Sequence, residues 1–147
     1  MRIVVLDASV AVKWYVREQG SDQAVQPLDR EDLDFVAPDL FKAEIANALL
    51  RQNRSGQLSE AALDSALVDL TFTMPELVPP AEIIDRAVVL ARILAHAVYD
   101  CLYLSLAERR DTVLVTVDEE FVSRCRVKLS GQDGIAQRLR FLHEFET

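Results

Sequence analysis

Residues 3–6, Ile-Val-Val-Leu, form an unbroken apolar run that ends on Asp7. A short run of this kind suits a strand covered on both faces, as in a parallel sheet. The apolar spacing then changes to a helical one from about Ala8 to Arg17, and residues 18–22, Glu-Gln-Gly-Ser-Asp, break it. Residues 23–35 carry a weaker pattern, helical or loop, and residues 34–38 read as a short strand ending at Pro38. The clearest helix covers residues 39–56, with Asp39 as N-cap and Gly56 as stop. A second follows over residues 59–72, capped by Ser59. The turn-rich stretch 73–80 leaves room for a short strand at Leu77-Val78. Helices are expected over 81–94, with Pro80 near the start, and over 98–111. Residues 112–118, Thr-Val-Leu-Val-Thr-Val-Asp, form a second buried strand that ends in an acid, and a short helix follows over 119–127. The tail, 128–147, is ambiguous, with a helix expected from Ile135. Strands alternating with helices predict an α/β fold around a parallel sheet.

Composition narrows the class. The chain has 147 residues, 50% of them hydrophobic, with 4 Gly and 5 Pro, which fits one globular domain over residues 1–147 with a sizeable core. No internal repeat, membrane span or export signal is legible, so the expected location is the cytoplasm, with Cys101 and Cys125 as reduced thiols. Two Cys and two His offer no zinc-type spacing. The net charge of −8, from 24 acids against 16 bases, argues against a broad electrostatic grip on nucleic acid. It leaves room for a local basic patch, or for an acidic pocket whose charge a divalent metal offsets. Every base except Lys13, Lys42 and Lys128 is Arg, the side chain that recognises phosphate bidentately.

Candidate chemistry begins with the acids. Asp is a poor strand residue and costly to bury unpaired. Asp7 alone is explained by capping the following helix. Asp7 and Asp118 together, each closing an apolar strand, are harder to explain that way, because parallel strands present the same end to one crevice. Glu44 lies inside an apolar helical segment and shares a face with Asn47, Ala48 and Arg51. Asp100 opens a helix whose circumference is mostly apolar, where a helix N-terminus would by itself stabilise it. Gathered at one sheet edge, four carboxylates could not all stay ionised and unpaired. Divalent cations resolve the repulsion, and hard oxygen ligands without His or Cys suit Mg²⁺ or Mn²⁺. Such clusters serve phosphoryl chemistry, where metal ions activate water and stabilise the leaving oxygen.

These segments resemble the PIN-domain family, and within it the VapC-type ribonuclease toxins of toxin–antitoxin pairs. "VVLDASVAVKW" is similar to the family's opening strand and places Asp7 and Ser9; "LFKAEIANALLR" is similar to its central helix and places Glu44 and Asn47. "HAVYDCLYLSLAERRDTVLVTVDEEF" is similar to its most specific block and places Asp100, Thr116 and Asp118. The resemblance runs in order from Arg2 to about Phe121, and the tail after Val127 matches little of it. It implies a PIN-like three-layer α/β/α fold with a central parallel sheet of about four to five strands. It further implies an endoribonuclease dependent on Mg²⁺ or Mn²⁺. Asp7 and Asp100 would be the core ligands, with Glu44 and Asp118 completing the cluster. Ser9, Asn47 and Thr116 would orient ligands or waters around them. RNA as substrate, a small antitoxin that places an Arg among the carboxylates, and a homodimer are also implied.

Other residues carry weaker signals. His96, four residues before Asp100, is expected at a helix end as a surface or packing residue. Trp14 and Tyr15 are expected in the core or an interface, and with Val12 they offer a groove for an antitoxin helix or for self-association. Tyr99 and Tyr103 are expected to pack. Arg51, Arg54, Arg124, Arg126 and Lys128 fit an RNA path and a solvated basic face equally well. Competing readings are a PIN-fold nuclease that is not a toxin, a PIN-fold binding module without activity, and a small-molecule phosphohydrolase. Haloacid-dehalogenase-like enzymes want a second Asp two residues beyond the first, where this chain has Ser9. The four intact acids argue against the inactive module.

Overall fold

The computed structural model describes residues 2–16, 21–25, 30–72, 76–132 and 134–145. Five parallel strands form one sheet in the order β3-β2-β1-β4-β5: β1 Arg2–Leu6, β2 Leu33–Pro38, β3 Glu76–Val78, β4 Leu114–Thr116 and β5 Leu139–Phe141. The helices are α1 Ala8–Ala11, α2 Ser21–Val25, α3 Phe41–Arg54, α4 Glu60–Phe72, α5 Ile84–Leu94, α6 Val98–Arg109 and α7 Glu119–Lys128. The expected α/β/α layering around a parallel sheet is what the chain adopts.

The apolar run of β1 explains the layers. Val5 faces a core built with α3, α5, α6 and α7, whereas Val4 and Leu6 face a smaller cluster with Ala24, Leu142 and Phe145. Both faces are therefore covered, as a continuous hydrophobic strand requires. Helix α6 packs across β1, β2 and β4. Its residues from Cys101 to Ala107 are all buried, which accounts for the apolar circumference in its sequence.

Several boundaries differ from expectation. The first helix stops at Ala11 and continues as a 3-10 turn over Val12–Trp14; Arg17, its expected end, lies outside the described residues. Ser21 and Asp22, expected in a break, open α2 instead. Asp39 does not cap α3: Leu40 holds that position, and the Asp39 amide donates to the Val78 carbonyl at 2.8 Å. That bond prolongs the β2–β3 ladder and keeps Asp39 in the sheet's register. Ser59 does cap α4, its hydroxyl accepting from the Ala62 amide at 3.1 Å. Gly56 follows the C-cap of α3 with φ +82, a left-handed turn that suits glycine.

The tail departs most. Instead of a helix from Ile135 it makes a 3-10 turn over Ile135–Arg138, then β5, then a second 3-10 turn over Leu142–Glu144. Leu139 is fully buried and pairs with Leu114, so ladder bonds and burial outweigh local helical spacing. Leu139→Ala should lower unfolding free energy by about 2–5 kcal/mol in urea titration. A loss below about 1 kcal/mol would mean that β5 is not integral to the core.

Candidate active site

The strand order reverses between β1 and β4: the chain leaves β1 toward β2 and β3 on one side, and β4 toward β5 on the other. The carboxyl ends of two such strands flank the crevice where open α/β sheets bind ligands. Asp7 follows β1 directly and Asp118 lies two residues past β4. Glu44 and Asp100 ride the first turns of α3 and α6. Asp7, Asp100 and Asp118 line one small cavity with Tyr103, Leu114, Thr116 and Phe121. Its volume of about 10 Å³ has room for one water-sized particle. Glu44 and Asn47 line an adjoining groove of about 440 Å³ that shares Asp100 and includes Leu40, Ala43, Ala97 and Tyr99.

Hydroxyls organise the centre. Ser9 Oγ donates to Asp7 Oδ2 at 2.6 Å, and Thr116 Oγ1 donates to the same oxygen at 2.8 Å. Ser9 is held in turn by the Val117 amide at 3.4 Å, and Thr116 by the Asp118 amide at 3.1 Å. Asp7 sits at the N-cap position of α1 but its side chain makes no capping bond. Asp118 does cap: one oxygen accepts from the Phe121 amide at 3.1 Å. Tyr103, 1% exposed, donates its hydroxyl to Glu44 Oε1 at 2.8 Å and so ties α6 to α3 beneath the acids. Asn47 is exposed on the rim.

Burial and mutual repulsion shift the acids. Burial pushes Asp7 from 3.8 to about 6, aided by the charges of Asp100 and Asp118 and opposed by the Ser9 and Thr116 hydrogen bonds. Burial likewise pushes Glu44 from 4.5 to about 7; the Tyr103 hydroxyl opposes the shift, while Asp7 and Asp100 add to it. The Tyr103 hydroxyl is raised far above its ordinary range, first by burial and then by the charges of Asp7 and Glu44. Perturbed groups gathered in a crevice are a mark of functional sites. Among the described residues no three Asp, Glu, His or Cys side chains form a ready-made metal cage. An all-oxygen donor set still fits a hard cation such as Mg²⁺, which keeps several waters and takes only one or two carboxylates directly.

Residues outside the acids sort differently from expectation. His96 is not a plain surface residue: its Nε2 lies 2.6 Å from Asp100 Oδ2 and its side chain is 15% exposed. The four-residue offset from Asp100 was the available signal, although His96 stands in the turn two residues before α6 and not on its helical face. Tyr103 carries a polar contact as well as packing, whereas Tyr99 is 62% exposed and does not pack in the core. Trp14 donates Nε1–H to the Ala24 carbonyl at 2.7 Å and packs on Phe35, a core role. Val12 is buried, which removes it from any docking groove. Arg124, Arg126 and Lys128 bond to Glu120, Glu144 and the Leu94 carbonyl, while Arg51 and Arg54 are exposed. Cys101 and Cys125 are free and buried, with thiols pushed up to about 12 chiefly by burial. Among the described residues no helix is long and apolar enough to cross a membrane.

Fold and crevice together define an α/β protein with carboxylates collected at the switch point of a five-stranded parallel sheet. The PIN domain profile matches residues 4–127. Ribonuclease VapC3 of Pyrobaculum aerophilum is 31% identical over 123 residues, covering 82% of this chain and 93% of that protein. The crystal structure of PAE2754 from Pyrobaculum aerophilum superposes with a TM-score of 0.64 at 22% identity, covering 95% of this chain and 89% of that one. A toxin–antitoxin complex from Klebsiella pneumoniae gives a TM-score of 0.54 at 13% identity, covering 97% and 99%. These two structures speak for the fold. The chain belongs to the PIN-domain family, on its VapC-type branch.

The raised acids set a pH dependence. Between about pH 4 and 7 the folded metal-free protein holds protons on Asp7 and Glu44 that the unfolded chain releases. Stability should therefore be highest at the acid end of that window and fall as pH rises through about 6 to 7. Thermal melts in chelator at pH 5 and 8 check this, and added Mg²⁺ should restore the loss. Asp7→Asn should flatten the profile and raise metal-free stability at pH 8 by about 1–2 kcal/mol. A melting temperature that rises from pH 5 to 8 would contradict the assignment.

Proposed function

We propose that the chain is an endoribonuclease dependent on Mg²⁺ or Mn²⁺, and the toxin of a VapBC-type toxin–antitoxin pair. The observation that carries the reading is the cavity at the switch point, where Asp7, Asp100 and Asp118 meet beside Glu44. The 31% identity to a protein named a ribonuclease supports it. Asp7 and Asp100 would hold the cation, with Glu44 and Asp118 completing the site directly or through water. When bound, the cation supplies the charge that lets these acids coexist and the Lewis acidity that phosphodiester hydrolysis by water needs.

The chain's own groups prepare that site. Ser9 and Thr116 bind one oxygen of Asp7 and fix its rotation, neither using Oδ1. Tyr103 holds Glu44, and Asn47 presents an amide on the groove. The groove suits a single strand: Tyr99 offers an exposed ring on which an unpaired base can stack, one residue from Asp100. With a net charge of −8, affinity for RNA then rests on such local contacts and on bound cations.

A toxic nuclease needs a partner that silences it, and a VapC-type chain acts beside a small antitoxin. An antitoxin Arg among the carboxylates would replace the cation's charge and exclude phosphate, with bidentate geometry available. The same reading takes the protein to be a homodimer in the cytoplasm, and residues 1–147 to act as one domain, since β5 pairs within the same sheet as β1.

The test is cleavage of RNA with Mg²⁺ or Mn²⁺ against chelator, beside a generic phosphomonoester. Cleavage should need the cation, favour RNA, and fall by at least about 100-fold in Asp7→Asn and Asp100→Asn, more than loss of an outer contact costs. Hydrolysis of the phosphomonoester alone would favour the small-molecule phosphohydrolase. Co-expression with the adjacent reading frame should restore growth of a host that this chain inhibits. RNA cleavage without toxicity, or a neighbour that neither binds nor relieves it, would favour a PIN-fold nuclease that is not a toxin.

A further inference from the structure

The turn between α5 and α6 is held in a costly shape. Ala95 has φ 49, a left-handed conformation that L side chains disfavour. The His96 amide closes the turn by donating to the Ala91 carbonyl at 3.1 Å. Together these deliver the His96 ring to the first turn of α6. There it lies edge-on to Phe121, with ring centroids 4.9 Å apart, and its Nε2 stands 2.6 Å from Asp100 Oδ2.

The other ring nitrogen settles which atom carries the proton. Arg124 Nη1 lies 3.1 Å from His96 Nδ1 and 3.1 Å from the Ala95 carbonyl, and Nη2 donates to Glu120 Oε1 at 3.0 Å. A guanidinium only donates, so Nδ1 must be the unprotonated acceptor. The ring is then neutral with its hydrogen on Nε2, and Nε2–H donates to Asp100. The Arg124 fork serves three acceptors at once and locks the turn, the tautomer and α7 together. An arginine bonded directly to Asp100 would bring a full positive charge against a carboxylate meant for a cation. The intervening imidazole passes on the orientation and keeps that charge one ring away.

We propose that His96, fixed by Arg124, is a positioning residue for Asp100. It occupies Oδ2 and sets the rotation of the carboxylate, so that Oδ1 is the oxygen available to a divalent cation. The proposal rests on the metal-dependent nuclease reading above. The block that placed Asp100 begins at His96 but gives it no role; the His96–Asp100 contact is local, and the tertiary contact of Arg124 on α7 with the α5–α6 turn fixes the ring. Partners of this kind set the geometry of a ligating group, and their loss typically costs about 10–100-fold in metal affinity.

The test uses the full chain with Mn²⁺ alone as the probe. The chain has 2 His, so ¹H–¹⁵N correlation on ¹⁵N-histidine protein resolves His96 from His143. His96 should show a protonated Nε2 and a bare Nδ1, and Arg124→Met should mix the tautomers. By calorimetry His96→Phe, which keeps a ring against Phe121, should weaken Mn²⁺ binding about 10–100-fold. His96→Gln, which retains an amide donor toward Asp100, should recover most of it. If His96→Phe fails to fold, the Gln variant and Arg124→Met carry the measurement. A proton on Nδ1, or Mn²⁺ affinity that depends on Asp7 and Asp100 but is indifferent to His96, overturns the positioning role alone. Wild-type protein that takes up no Mn²⁺, with the Nε2 tautomer intact, overturns the metal-dependent reading instead.

Discussion

The bond from the Asp7 amide to the Val115 carbonyl, 3.0 Å long, is the point from which the crevice is organised. It carries the pairing of β1 with β4 one residue past the end of β1. Because the pairing is parallel, the next residues of both strands emerge on the same side. Asp7, Thr116 and Asp118 are therefore brought within reach of one another by backbone geometry alone. Helices α3 and α6 run back against the strands, so their first turns return to the same edge and bring Glu44 and Asp100. A one-residue slip of β1 against β4 would turn Val4 and Leu6 into the opposite layer and carry Asp7 out of the site.

This convergence has a standing electrostatic cost that the fold meets with neutral donors. Two hydroxyls hold Asp7, a phenol holds Glu44, a backbone amide holds Asp118, and an imidazole contacts Asp100. Each steadies a carboxylate without placing a full positive charge beside it. The guanidinium of Arg124 meets this network at His96, on the ring nitrogen away from Asp100. The exposed face is handled in the opposite way, with direct ion pairs such as Arg110–Glu76 and Arg126–Glu144. The contrast separates acids kept available inside the crevice from acids neutralised outside it.

The layout was legible where a local signal and the tertiary outcome agree. The run from Ile3 to Leu6 and the run before Asp118 announced buried strands, and Gly56 and Ser59 marked helix ends that exist. The acids were legible because each interrupts an apolar segment. The parts that were not legible are those decided by distant partners. Asp39 lost its capping place to a ladder bond with Val78, and Leu139 entered the sheet because β4 had a free edge. Tyr103 read as a packing residue because its hydroxyl partner, Glu44, lies 59 residues away in sequence. His96 carried one local clue, its spacing to Asp100, but Arg124 on α7 completes the contact.

The two outer strands have a different consequence. Glu76–Val78 and Leu139–Phe141 are each 3 residues long, and Glu76 and Arg140 put charge on them. A short, charged border gives an incoming strand few free amides and carbonyls to pair with. The sheet is thus poorly suited to growing by addition of another chain, which guards a molecule with so apolar an interior against fibre-like assembly. Exposed apolar side chains stand on the helical flanks instead, Val68 and Phe72 on α4 and Val88 and Val89 on α5. Substitutions on those flanks would leave the ladder that sets the acids undisturbed.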